Sequence, residues 1–133
     1  MGYESEADVS LEENLILTQK IVESVDIPVM ADAEDGYSGP EDVSGTIQRF
    51  IDTGVAGLNL EDQIPDGKRT VYIVDEDSMI GEITAARKIA ETKNVPDFII
   101  NGRTDALKST QSREDGLKIA IERANQYLGA RPI

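Results

Sequence analysis

The chain has 133 residues, the size of one ordinary domain, with 26 acidic against 13 basic residues and a net charge of −13. Such a field repels phosphate backbones and anionic membranes, which argues against nucleic-acid and membrane partners. There is no cysteine and no histidine, which excludes disulfides, structural zinc, thiol nucleophiles and every Ser-His or Cys-His arrangement.

Ser10 and Glu13 form a capping box. Behind it Leu11, Leu15, Ile21, Val22 and Val25 lie at helical spacing, predicting a helix that ends near Asp26. Pro28 to Glu34 (PVMADAE) reads as a short strand. Gly36, Gly39 and Pro40 mark a loop, with Pro40 suited to a first helical turn. Val43, Ile47, Phe50 and Ile51 predict the next helix, and Gly54 stands at its C-terminal stop. Val55 to Leu60 (VAGLNL) is a second strand, followed by a polar loop from Glu61 to about Asp77. Ile80, Ile83, Ala86, Ile89 and Ala90 predict a third helix, and Phe98 to Asn101 (FIIN) a third strand. A last helix starts at about Ser112, with Leu117, Ala120, Ile121, Ala124 and Leu128 on one face. The order αβαβαβα, with helices long enough to be crossovers, predicts an α/β fold in which parallel strands are covered by helices. Three strands fall short of the eight of a closed barrel, leaving a small open sheet or part of a barrel.

In parallel α/β folds the chemistry sits at the C-terminal ends of the strands. Here the first end carries Asp32, Glu34 and Asp35, the second Asn59, Glu61 and Asp62, and the third Asn101, Arg103 and Asp105. Alternation puts Asp32 with Glu34, Asn59 with Glu61 and Asn101 with Arg103 on a common side, while Leu58 and Leu60 face the helices. Clustered carboxylates repel unless a cation joins them. Mg²⁺ meets that demand through one or two direct carboxylates plus water-bridged ones. Arg103 offers a planar fork for a carboxylate or phosphonate. Together they suit stabilisation of the enolate of a 2-oxo acid. Each acid taken singly reads more readily as a helix cap or loop residue than as a ligand, and Arg103 alone as a structural partner of Glu61 or Asp105. Asp62, Asp66, Asp75 and Glu76 read as surface charge. An EF-hand alignment of DAEDGYSGPED on Gly36 places Ala31 at the first ligand position and fails.

At these residues the sequence resembles the phosphoenolpyruvate mutase/isocitrate lyase superfamily, mutase-like branch. The matching segments are PVMADAEDGYSGPEDV (Pro28 to Val43), TGVAGLNLEDQ (Thr53 to Gln63) and DFIINGRTDAL (Asp97 to Leu107), with EDGLKIAIERANQYLGA (Glu114 to Ala130) fitting as well. The resemblance implies a partial (β/α)8 TIM barrel, about strands three to five with helices two to five, as one domain over residues 1–133. It implies Asp32 as the direct Mg²⁺ ligand, Glu34 and Glu61 as acids acting through water, and Arg103 as a substrate-binding group. A gating loop falls at Gln63 to Val74, with Lys68 and Arg69 as its basic residues. Lyases of the family carry a cysteine on that loop, which this chain lacks. The mutases' acidic loop residue aligns at Ser5, between Glu4 and Glu6.

The implied reaction is Mg²⁺-dependent cleavage or rearrangement of a C–C or P–C bond next to a 2-oxo acid, on a small oxo-acid or phosphonate substrate. The alternatives are a truncated, inactive barrel segment that binds metal or assembles, and a module whose acidic rim is merely solvated. Open strand edges predict a homo-oligomer or continuation in a longer protein. No apolar run reaches a membrane span and no signal core follows Met1, so a cytoplasmic location is expected.

Overall fold

A computed structural model describes residues 8–37, 43–64 and 71–130. Helix α1 (Leu11–Ser24) opens on the capping box: the Glu13 amide donates to the Ser10 hydroxyl at 3.3 Å and the Ser10 amide to the Glu13 carboxylate at 3.1 Å. It stops short of Ile27, whose place before Pro28 disfavours helical backbone. Strand β1 (Met30–Asp32) follows, then α2 (Val43–Asp52), which the chain leaves through Gly54 at φ +87. Next come β2 (Gly57–Glu61), β3 (Gln63–Ile64), β4 (Tyr72–Ile73), α3 (Glu76–Thr92), β5 (Ile99–Arg103), α4 (Ala106–Ser109) and α5 (Arg113–Gly129). Asp75 caps α3 by accepting from the Ser78 amide at 2.9 Å, and Ser112 caps α5.

Strands β1, β2 and β5 form a parallel sheet with β2 in the middle. Met30 pairs with Gly57 and Asp32 with Asn59; Gly57 pairs with Ile99, Asn59 with Asn101 and Glu61 with Arg103. This register sends Ala31, Ala33, Leu58 and Leu60 toward the crossover helices, where they pack with Ile47, Phe50, Met79 and Ala86. Removing a large apolar side chain such as Phe50, Ile47, Leu58 or Leu60 from water contributes about 1.5–3 kcal/mol each. The opposite face carries Met30, Asp32, Ile99, Asn101 and Arg103 on the outer strands, all exposed, around the more buried Gly57, Asn59 and Glu61 of β2. No element covers that face among the described residues.

Four sequence expectations need correction. The polar loop after β2 contains a short antiparallel pair, Gln63 with Ile73 and Ile64 with Tyr72. On α5 the buried residues are Gly116, Arg123 and Tyr127, while Leu117, Ile121 and Leu128 are 49%, 54% and 76% exposed. The apolar stripe points to the side where no described element packs, and a buried polar cluster orients the helix instead. On α1, Leu15 and Thr18 are buried whereas Ile21 and Val25 are exposed. Strand boundaries move by one or two residues, as the hydrogen-bonded ladder rather than the apolar run sets them.

Candidate active site at the strand ends

The sheet register brings the three strand ends into rows. Asp32, Asn59 and Asn101 form one row, and the Asn101 amide donates to the Asn59 side-chain oxygen at 2.9 Å. The next row holds Glu61 opposite Arg103. Glu34, two residues past the end of β1, joins it, because the Glu61 amide donates to the Glu34 carbonyl at 2.8 Å. Just past β1 the chain turns at Glu34, whose φ of 50 is left-handed, and the Asp32 carboxylate accepts from the Glu34 amide at 3.1 Å. Asn14 on α1 anchors this end by donating to the Asp32 carbonyl at 2.8 Å and to the Tyr37 hydroxyl at 2.7 Å.

Arg103 is stretched between two carboxylates. Its Nη1 lies 3.0 Å from Glu61 Oε2 and its Nη2 lies 2.9 Å from Asp105 Oδ2. Lys108 adds a contact to Asp105 Oδ1 at 3.1 Å. Burial pushes the Glu61 carboxyl up to about 7; the Arg103 charge opposes this, while Asp105, Glu34 and Asp32 reinforce it. Arg103 itself is held above the usual guanidinium range. Its burial acts the other way but is outweighed by the Asp105 bond and by the charges of Glu61, Asp105 and Asp32.

Below this rim lies a polar cluster that the sequence did not announce. Asp62 reads as surface charge from its loop position, yet its side chain is fully buried. Its Oδ2 accepts from Arg123 Nη1 at 2.9 Å and from the Tyr127 hydroxyl at 2.7 Å, and its Oδ1 from the Asp105 amide at 2.9 Å. Arg123 Nη2 also donates to the Val74 carbonyl at 2.7 Å. Burial, seconded by the negative Asp62, pushes the Tyr127 hydroxyl up. The one available signal was Arg123 and Tyr127 at i and i+4, a polar pair on one helical face.

The structure thus brings Asp32, Glu34, Glu61 and Arg103 together at one rim. Lys68 and Arg69 lie outside the described residues, as do Asp66, Gly39, Pro40, Glu4, Ser5 and Glu6. Among the described residues no three acidic side chains enclose a metal ion. The donors are nevertheless all oxygens, and Asp105, Glu34 and Asp32 add their negative charge to the burial that raises Glu61. That set fits a hard divalent ion held by one carboxylate and several waters, which needs no closed cage.

A family model for phosphoenolpyruvate phosphomutase matches residues 1–130. The chain belongs to this family. Within it, 2-methylisocitrate lyase from Escherichia coli (strain K12) is 35% identical over 127 residues, covering 91% of this chain and 40% of that protein. A crystal structure from Burkholderia cenocepacia J2315, assigned as a phosphonomutase, superposes with a TM-score of 0.81 at 35% identity, over 92% of this chain and 50% of the other. Phosphonopyruvate hydrolase, crystallised with oxalate and Mg²⁺, shares the fold with a TM-score of 0.77 at 22% identity, over 92% of this chain and 41% of the other. The chain spans about 40% of the length of the curated relatives it matches. Its three parallel strands and crossover helices are therefore part of a phosphoenolpyruvate mutase-type barrel, and the open sheet face corresponds to barrel interior.

Proposed function

We propose that the strand ends form the metal- and anion-binding part of an active site that cleaves or rearranges a C–C or P–C bond next to a 2-oxo acid. The observation that carries this reading is the convergence of Asp32, Glu34 and Glu61 on one rim with Arg103, where burial and neighbouring acids push Glu61 up to about 7. Asp32 would hold Mg²⁺ directly, with Glu34 and Glu61 reaching it through water. When bound, such an ion supplies a Lewis acid that draws developing negative charge toward the oxygens of an oxo acid. Arg103, whose two terminal nitrogens meet Glu61 and Asp105, would meet the carboxylate or phosphonate of the substrate through a charge-assisted bond beside those two. Asn59 and Asn101, linked at 2.9 Å, add neutral donors on the floor of the site. Lys68 is assigned a second positive role on the family resemblance alone.

The working unit in this proposal is a single partial-barrel domain over residues 1–133 that associates with further copies, in the cytoplasm. Among the described residues no helix is long and apolar enough to cross a membrane. Turnover of 2-oxo acids and phosphonates with Mg²⁺ tests the activity. Asp32→Ala is expected to abolish it, and unchanged turnover in that variant would refute the metal assignment.

A second reading has its own observation. The sheet face that would line the barrel is uncovered, and displacing a catalytic group by about an ångström can cost a hundredfold in rate. Under that reading the chain binds Mg²⁺ and an anion but turns nothing over.

A further inference from the structure

Asp62 is costly where it stands. An ion taken out of water loses several kcal/mol of hydration, and a buried partner returns this only with good geometry and full hydrogen bonding. Asp62 has both. Arg123 and the Tyr127 hydroxyl meet one oxygen and the Asp105 amide meets the other.

Its main chain is also committed. The Asp62 amide donates to the Arg103 carbonyl at 3.2 Å, and its carbonyl accepts from the Val74 amide at 2.8 Å. Asp62 therefore grips the tripeptide 103–105 at both ends, through the carbonyl of Arg103 and the amide of Asp105. Those are the backbone points from which the guanidinium and its carboxylate partner extend.

Asp105 shows what the grip serves. It occupies the N-cap position of α4, where an aspartate ordinarily accepts from the helix amides. Its side chain makes no cap bond. The carboxylate turns instead to Arg103 and Lys108, at 2.9 and 3.1 Å. A local stabilising bond is forgone and the guanidinium is held.

We propose that Asp62, clamped by Arg123 and Tyr127 of α5, is a positioning residue for Arg103. By fixing both ends of the 103–105 tripeptide it sets the direction in which the guanidinium meets an anionic ligand at the strand ends. The anion-binding role of Arg103 rests on the proposed function; the positioning of its side chain does not.

Two variants separate positioning from simple packing. Tyr127→Phe keeps the ring and removes one bond to Asp62. Asp62→Asn combined with Arg123→Met removes both buried charges, so that neither is left unpaired. Ile47→Val, a core change on α2 that touches none of the cluster's hydrogen bonds, serves as the stability control. In the ligand-free chain, nuclear magnetic resonance of the Arg103 guanidinium should show restricted rotation in the native protein and in Ile47→Val. Both cluster variants should lose that restriction. With Mg²⁺ saturating, their affinity for oxalate should fall about tenfold, the usual scale for partners that orient a binding group. Unaltered guanidinium signals in both cluster variants would overturn the proposal and leave the cluster a packing device. Should the native chain bind no oxalate, the proposed function fails, while the guanidinium signals still decide the positioning.

Discussion

Among the described residues, burial lifts two carboxyl groups, Glu61 and Glu82, well above the ordinary carboxylate range. Glu61 faces the strand ends. Glu82 lies on α3, 5% exposed, and burial with the nearby charges of Asp35 and Asp75 pushes it up to about 7 from an ordinary 4.5. Between those two values the folded chain binds a proton that the unfolded chain has released. The contribution of Glu82 to stability is therefore present below 4.5 and lost as pH rises through about 7. Glu82→Gln should remove this contribution. The variant should be about 1–3 kcal/mol more stable than the native chain near pH 8 and no more stable near pH 4, as read by urea denaturation. An equal difference at both values would contradict the account. At this scale the rim acids were legible in the sequence, because alternation along a strand fixes which side chains share a side. Asp62 was not, since its burial depends on Arg123, 61 residues away, and no local pattern encodes that pairing.

The elements followed from periodicity where one neighbour decides burial. Strand β2 is covered by the crossover helices, and its buried Leu58 and Leu60 alternate as expected. On α5 the rule failed for a physical reason. Helical spacing identifies an apolar face but not the side on which a partner stands, and Arg123 with Tyr127 turns the helix by bonding to Asp62. The sheet itself offers a sharper test. A Cβ at Gly57 would sit 2.5 Å from the Ile99 carbonyl oxygen and 2.7 Å from the Met30 sulfur, so β2 and β5 approach too closely for any side chain there. At Gly81, on the exposed side of α3, nothing lies within 4 Å. Gly57→Ala should cost about 1–3 kcal/mol by overpacking. Gly81→Ala should stabilise by about 0.5–1 kcal/mol through helix propensity. Denaturant midpoints moving the same way in both variants would refute this picture of the sheet.

At the scale of the molecule, a large share of the apolar surface is unclaimed. The side of β1 and α1 exposes Leu17, Ile21, Val25, Ile27 and Met30, and the far side exposes Ile99, Leu117, Ile121 and Leu128. Beside the outer edge of β5 runs a groove of about 670 Å³ lined by Ile83, Arg87, Ile100, Ala124, Tyr127 and Leu128 among others. Edge strands and patches of this kind seek partners. Sedimentation of the chain should give a mass well above one copy, and a stable, folded monomer would rule self-association out. The sequence implied these open edges through the family resemblance, but periodicity could not say which side chains they would expose.

In the proposed function one rim binds a divalent cation and an anion together. Calorimetric titration with Mg²⁺, followed by oxalate in its presence, tests this most directly, because oxalate is a planar dianion resembling a pyruvate enolate. Mg²⁺-dependent oxalate binding tighter than about 1 mM is expected, lost in Asp32→Ala. Absence of binding by either, in a chain that remains folded, would contradict it.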